Sequence, residues 1–500
     1  KTASADKDAG AAFLKYKDFK PYVDYFNSME DENIAQAIPN ARASQWMEEN
    51  IPLFECSQKN FEEMYYYRWW TLRKHIKETP VGYGMTEFLV NRSYADKYNL
   101  IACAIGHHIY ESRWLRNPEY LNQIIHTWYR GNEGGPMAKM TKFSSWNADA
   151  VLGRYMVDGN KEFLLDMVKD LEAEYARWEK TNRLPNGLYW QGDVQDGMEE
   201  SISGGRRKQY ARPTINSYMY GNAKALSLIG IMTGDEGMAM KYGLKADSIK
   251  TLVQDKLWNT DHHFFETMRG DASAEVREAI GYIPWYFNLP DASSKYTVAW
   301  KEVMDEKGFS APYGLTTAER RHPEFRTHGV GKCEWDGAIW PFASAQTLTA
   351  MANFMNNYPQ TVLTDSVYFH QMERYVESQH HRGRPYIGEY LDEVTGYWLK
   401  GDQERSRYYN HSTFNDLMIT GLIGLRPRMD NTVEVNPLIP EGKWDYFCLD
   451  NVLYHGRNLT ILWDKDGSRY QRGKGLHIYV DGKEVGHADT LTRVLCENVL

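Results

Sequence analysis

Residues 158–178 read DGNKEFLLDMVKDLEAEYARW. After the Asp158-Gly159-Asn160 break, Leu164, Met167, Val168, Leu171, Tyr175 and Trp178 recur at helical spacing. Lys169, Asp170, Glu172 and Arg177 fall on the opposite face. This is an amphipathic helix with one side on a core and one in water. Four other stretches, 100–109, 223–232, 343–355 and 414–423, are apolar all round, so helices there are buried on every side. The joins recur as well: Gly234-Asp235 and Asn356-Asn357, like 158–160, follow a buried helix and precede an amphipathic one. Alternation of this kind predicts helical hairpins, an inner and an outer helix per unit, closing into an α/α toroid. A linear solenoid is the alternative, but solenoids seldom carry such long aromatic loops between hairpins.

The pattern changes after about residue 426. Stretches 433–435, 458–463 and 477–480 alternate or run with β-branched and aromatic residues, and Asp466-Gly467 and Asp481-Gly482 sit where hairpin turns belong. The expected organisation is an N-terminal extension with the first helices (1–95), a helical catalytic toroid (96–425) and a small β-sandwich-like domain (426–500). In the first segment, 61–75 reads as one strongly aromatic helix.

Composition narrows the function. Five hundred residues are ample to bury a core without a disulfide or metal staple. The net charge of −9 argues against a nucleic-acid partner, whose affinity comes largely from phosphate neutralisation. No run approaches the ~18 apolar residues of a membrane-spanning helix, so no membrane insertion is expected. Aromatic residues make up 14% of the chain, a surplus of flat rings suited to stacking on sugars. Cys56, Cys103, Cys333, Cys448 and Cys496 are scattered, with no CxxC pair, and read as small buried hydrophobes. The chain starts at Lys1 with a polar stretch, 1–10, that lacks an apolar segment; a mature secreted or periplasmic chain, or a piece of a larger protein, fits this start.

Three stretches are candidates for chemistry. The densest is 187–205, which holds Asp193, Asp196, Glu199 and Glu200 among Tyr189, Trp190 and several glycines, and runs on to Arg212 before a buried helix. Glycoside cleavage needs a carboxylic acid that stays protonated near neutral pH, and an apolar aromatic wall raises a carboxyl pKa by desolvation. A solvated acidic loop is the plain alternative, against which Trp190 and Met198 speak. The second is 386–396, with Glu389 after a glycine, followed by Asn410 and His411; Glu389 suits a general base holding a water, or else pairs with an arginine such as Arg384. The third is 334–341, where Trp335 offers a stacking face and Asp336 an acceptor for sugar hydroxyls, or a helix cap. Trp146 and Asn147 are further candidates to line a saccharide cleft, as is the aromatic run 65–70. The pairs His107-His108, His262-His263 and His380-His381 do not suggest a metal, because neighbours on a helix point ~100° apart. No HExxH, GxxxxGK[ST] or GxGxxG motif is present, so neither a metal nor a cofactor is expected. Three glycosylation sequons, at Asn91, Asn410 and Asn458, matter only in a eukaryotic secretory route.

The hairpins, the Gly197-Met198-Glu199 loop, the 334–340 helix start and the 388–396 stretch together resemble the six-hairpin (α/α)6 glycoside hydrolases, nearest the mannosylglycerate-hydrolase-like and family 63 group. The resemblance covers roughly residues 60–425. It implies an all-α (α/α)6 toroid with a small C-terminal β-domain. It also implies a proton donor at Glu199, and a base at Glu389 in a stretch that matches the group's Glu-x-x-Asp-x-x-x-Gly pattern. The family 63 donor is Asp where this sequence has Glu, and Asp196 three residues earlier is a rival. The expectation is an exo-acting inverting glycoside hydrolase with a carbohydrate substrate, held by Trp190, Trp335, Asp336, Trp146, Asn147, Arg212 and His411. A β-L-arabinofuranosidase acting on pectic side chains is an alternative specificity. A non-catalytic glycan-binding protein and a polysaccharide lyase are alternatives of other classes.

Overall fold

The computed structural model describes residues 13–329 and 331–500; the polar stretch 1–10 lies outside the described residues. Helices α1 (Lys20–Ser28) and α2 (Asn40–Asn50) lead into a series of outer–inner pairs. These are α3 (Lys59–Lys74) with α4 (Ile105–Ser112), α5 (Pro118–Arg130) with α6 (Asn147–Asp158), and α7 (Lys161–Asn182) with α8 (Pro213–Thr233). They continue as α9 (Glu236–Leu252) with α10 (Ile283–Tyr286), α11 (Ser294–Thr297) with α12 (Pro341–Asn357), and α13 (Asp365–Ser378) with α14 (Asn415–Leu417). The inner helices touch in cyclic order: α4 packs on α6, α6 on α8, α8 on α10, α10 on α12, α12 on α14, and α14 back on α4.

Local chemistry explains the joins. Gly159 (φ +67) and Gly234 (φ +74) close α6 and α8 in the left-handed conformation that glycine adopts without a Cβ penalty. The next residues open the outer helices: the Asn160 side chain accepts from the Phe163 amide and Asp235 from the Met238 amide. Asn356-Asn357 differs. It ends α12 without a left-handed residue, and a connection through Thr364 intervenes before α13. Two buried stretches are also less regular than expected. Residues 100–109 begin with a 3-10 turn before α4, and 414–423 form three residues of α-helix followed by the π-turn Met418–Leu422.

The expected all-α class is too narrow. Strand pairs such as Ile76–Thr79 with Gly82–Met85 and Trp190–Gln191 with Tyr210–Ala211 organise the long loops that precede inner helices. At two to four residues each, they are too short to show a period in the sequence. The C-terminal part carries an antiparallel sheet of β1 (Leu53–Cys56), β2 (Tyr446–Tyr454), β3 (Arg457–Asp464), β4 (Gly475–Val480) and β5 (Lys483–Ala488), in that spatial order. Val433–Val435 belongs to a second, three-stranded sheet. Asp481 and Gly482, both at positive φ, form the two-residue turn between β4 and β5. Asp466-Gly467 lies instead in the longer connection from β3 to β4. β1 comes from the N-terminal segment and pairs with β2, Leu53 opposite Asp450. Under this sheet and α1, helix α3 is buried almost throughout, which accounts for its aromatic run.

No helix among the described residues is long and apolar enough to cross a membrane.

A candidate active site at the N-terminal ends of the inner helices

The long loops preceding α4, α6, α8, α12 and α14 converge on a cavity of about 430 Å³, within the roughly 300–1,000 Å³ range of small-ligand sites. Glu87, Glu199, Trp340, Phe342, Glu389 and His411 are on its wall.

Glu199 is carried on a tight turn. The Asp193 carbonyl accepts from the Met198 amide (2.9 Å), Met198 is fully buried, and Gly197 takes φ +72, where a Cβ would approach Cys103 to 3.3 Å. Beneath the turn, Asp196 Oδ2 accepts from Arg212 Nε (2.7 Å) and Thr214 Oγ1 (2.6 Å), while Oδ1 accepts from the Ser144 hydroxyl. Asp196 and Arg212 are completely buried and do not reach the cavity. A pair this enclosed is an anchor: removal of one partner leaves an uncompensated charge at a cost of ~3–5 kcal/mol. Burial pushes the Glu199 carboxyl up to about 7, and the negative charge of Glu389 adds to the rise.

Glu389 is buried, with Lys400 Nζ at 3.7 Å and Arg405 at 3.8 Å. Its Oε1 accepts no hydrogen bond from the protein. Arg384, the partner considered from the sequence, instead donates to the Met29 carbonyl. His411 packs against Tyr409 (3.8 Å between ring centroids) and near Phe342 and Trp340. Burial holds its imidazole well below the usual range, so the ring is neutral, and its Nε2 has no protein partner.

The sequence reading missed Glu87. Its Oε1 accepts from Cys103 Sγ (3.2 Å) and its Oε2 from the Tyr409 hydroxyl (3.0 Å). Burial pushes its carboxyl up to about 8, with the charges of Glu389 and Glu199 adding. The available signal was an isolated acid beside Phe88 and Leu89, about a dozen residues after the predicted aromatic helix.

Other candidates lie off the cavity wall. Trp335 is buried and stacks on Trp340 (4.8 Å), which stacks in turn on Tyr390 (4.6 Å), so Trp335 backs the wall without forming it. Asp336 accepts from the His328 amide (2.7 Å) and fastens its own loop; Trp340, not Asp336, occupies the cap position of α12. Trp146 is fully buried, donates to the Tyr286 hydroxyl (3.0 Å) and covers Gly106, where a Cβ would come within 2.1 Å of its ring. Asn147 donates to Glu174 (2.8 Å) and ties α6 to α7. Trp190 sits in the short strand that pairs with Ala211. His107 and His108 bond to separate main-chain carbonyls, of Phe342 and Asn410, as neighbours on a helix must.

Inner helices in cyclic contact, with loops that present buried carboxyl groups around a neutral histidine and aromatic faces, are the equipment of a glycoside hydrolase, and similarity to known proteins agrees. Residues 97–412 match the mannosylglycerate hydrolase MGH1-like glycoside hydrolase domain, and residues 425–487 match the C-terminal domain of glycosyl hydrolase family 65. The chain belongs to the MGH1-like glycoside hydrolase family. Among solved structures, it is 83% identical to a chain named sialidase, over all of this chain and 46% of that one, with a TM-score of 0.99. It therefore spans about half the length of that relative. The fold is also shared with the GH63 mannosylglycerate hydrolase from Thermus thermophilus in complex with glucose (11% identity, 71% of this chain and 99% of that one, TM-score 0.51). A GH78 family rhamnosidase of Bacillus sp. GL1 is similar too (12% identity, 86% and 41%, TM-score 0.55).

Proposed function

We propose that this glycoside hydrolase is an exo-acting, inverting enzyme that removes a terminal sugar, with Glu199 as general acid and Glu389 as general base. In this reading the cyclic helix contacts make α3 to α14 an (α/α)6 toroid, which adds α3 to the expected range 96–425. The carrying observation is that the two carboxyl groups face one cavity in opposite electrostatic settings. Burial and the field of Glu389 favour the proton on Glu199, which suits it to protonate the departing oxygen. Glu389 lies beside two cations and has an uncommitted oxygen, which suits a carboxylate that orients a water and takes its proton. The water adds to the anomeric carbon on the face opposite the leaving group, the glycosidic bond breaks, and configuration inverts. Trp340, Phe342 and His411 supply faces and a hydrogen-bonding edge for the sugar.

The test is kinetic. Glu199→Gln and Glu389→Gln should each lower turnover by ~10²–10⁴-fold with unchanged circular dichroism, on a panel that includes hexosides, sialosides and the β-L-arabinofuranosides of pectic side chains. Near-normal rates in both variants would refute the assignment. NMR of the first-formed anomer tests inversion separately; product of unchanged configuration would mean retention. Unsaturated products absorbing in the near ultraviolet would point to a lyase instead.

A further inference from the structure

The chain is acidic overall, at −9, yet four cations surround this cavity: Arg92, Lys142, Arg206 and Arg405. Elsewhere arginines such as Arg113, Arg130, Arg277, Arg321 and Arg428 are neutralised by a carboxylate within 3.1 Å. Among the described residues, Arg92, Lys142 and Arg206 make no such pair. Arg92 lies against the rings of Phe88 (5.3 Å) and Tyr94 (5.5 Å), and its buried Nε has no partner. Lys142 approaches the same Tyr94 ring and donates only to a main-chain carbonyl (3.1 Å). Arg206 is exposed on the loop after Glu199, close enough for its charge to act on that carboxyl. Arg405 reaches Glu389 only at 3.8 Å, and its buried Nε is also unpartnered. Three of these cations therefore have no carboxylate partner at ion-pair distance among the described residues, and all three line one cavity.

We propose that the leaving-group side of the site binds an anionic glycan, so that the released sugar is attached to residues bearing carboxylate or sulfate groups. The proposal rests on the hydrolase reading above. The unpaired positive charge comes from three chain segments, two cations beside Tyr94 and one on the loop beyond the acid Glu199, while Arg405 belongs to the base Glu389 and is not counted. That distribution meets several anionic groups along an oligosaccharide better than one acid on a small aglycone. Guanidinium groups match the planar fork of a carboxylate or the oxygens of a sulfate, and an approach guided by charge weakens with salt.

Calorimetry on the intact chain, with a homogalacturonan oligosaccharide, its carboxyl-reduced form, a sulfated oligosaccharide and a neutral one as probes, tests this. The carboxylated or the sulfated probe should bind at least about tenfold more tightly than the neutral forms (~1.4 kcal/mol). The preference should shrink as salt rises, and which anion wins identifies the source of the charge. The combined Arg92→Gln, Lys142→Gln and Arg206→Gln variant should bring the ratio close to one. Arg206→Glu alone, at an exposed position that cannot disturb the core, should reduce it. Equal binding of charged and neutral probes, or a preference that survives the triple variant, would overturn the proposal. If anion preference holds while Glu199→Gln and Glu389→Gln keep full turnover, the catalytic assignment fails and the binding inference stands.

Discussion

At the residue scale the cavity holds more acid than a two-carboxyl mechanism uses. Glu199 is pushed up to about 7, so a donor there loses its proton as pH rises past neutrality. We predict that the rate on a cleaved substrate declines on the alkaline side of about pH 7, and that this limb disappears from the residual activity of Glu199→Gln. Glu87, pushed up to about 8, gives a second prediction. An unfolded glutamate titrates near ~4.3, so between that value and about 8 the folded protein holds a proton the unfolded chain has lost. Stability therefore falls as pH rises through this window. Glu87→Gln keeps the neutral form's shape without the titration. Its Tm should stay flatter than the parent's from pH 5 to pH 8; parallel curves would show that Glu87 is ionised throughout. Glu199 and Glu389 were legible as candidates because each lies in a loop with glycine and aromatic residues, Glu389 directly after Gly388 and Glu199 two positions after Gly197. Glu87 was not, because the groups that hold it, Cys103 and Tyr409, are 16 and 322 residues away. The stacking residues misled for a related reason: Trp146 and Trp335 look like sugar platforms in sequence, and only packing shows that they are spent on Tyr286 and Trp340.

At the element scale the hairpins were the most legible feature. Two of the three recurrent joins proved to be a left-handed glycine followed by a capping side chain, and this chemistry is local enough to write in three residues. Gly159→Ala, at φ +67 with no side chain in the way, should cost ~1–2 kcal/mol and lower Tm without affecting catalysis. Gly197→Ala, at φ +72 against Cys103, should cost as much in stability and also reduce turnover, because it shifts the turn that presents Glu199. Asp196→Asn should be harsher, ~3–5 kcal/mol, by stranding Arg212 in the interior. An Asp196→Asn protein with the parent's Tm would contradict the anchoring role. The short strand pairs between hairpins stayed hidden, since two residues have no period.

At the scale of the whole molecule, β1 places part of the N-terminal segment in the C-terminal sheet, and Glu55 on that strand bonds to Arg469 (3.0 Å) and the Tyr470 hydroxyl (2.8 Å). No sequence pattern over four residues announces such a distant pairing. The helical part and the sheet should accordingly melt together. Calorimetry should give one transition, and Glu55→Ala should lower it as a unit without splitting off an early step.

The lacing of β1 to β2 also constrains how the protein is made. On the ribosome, residues 53–56 emerge almost four hundred positions before their partners at 447–450. Residues 53–56 must wait, with Phe54 and its neighbours uncovered, until residues 447–450 have also emerged. Chains halted short of the second sheet strand would keep that apolar edge open, and a chaperone that shields it during synthesis should raise the yield of native enzyme more than one supplied afterwards.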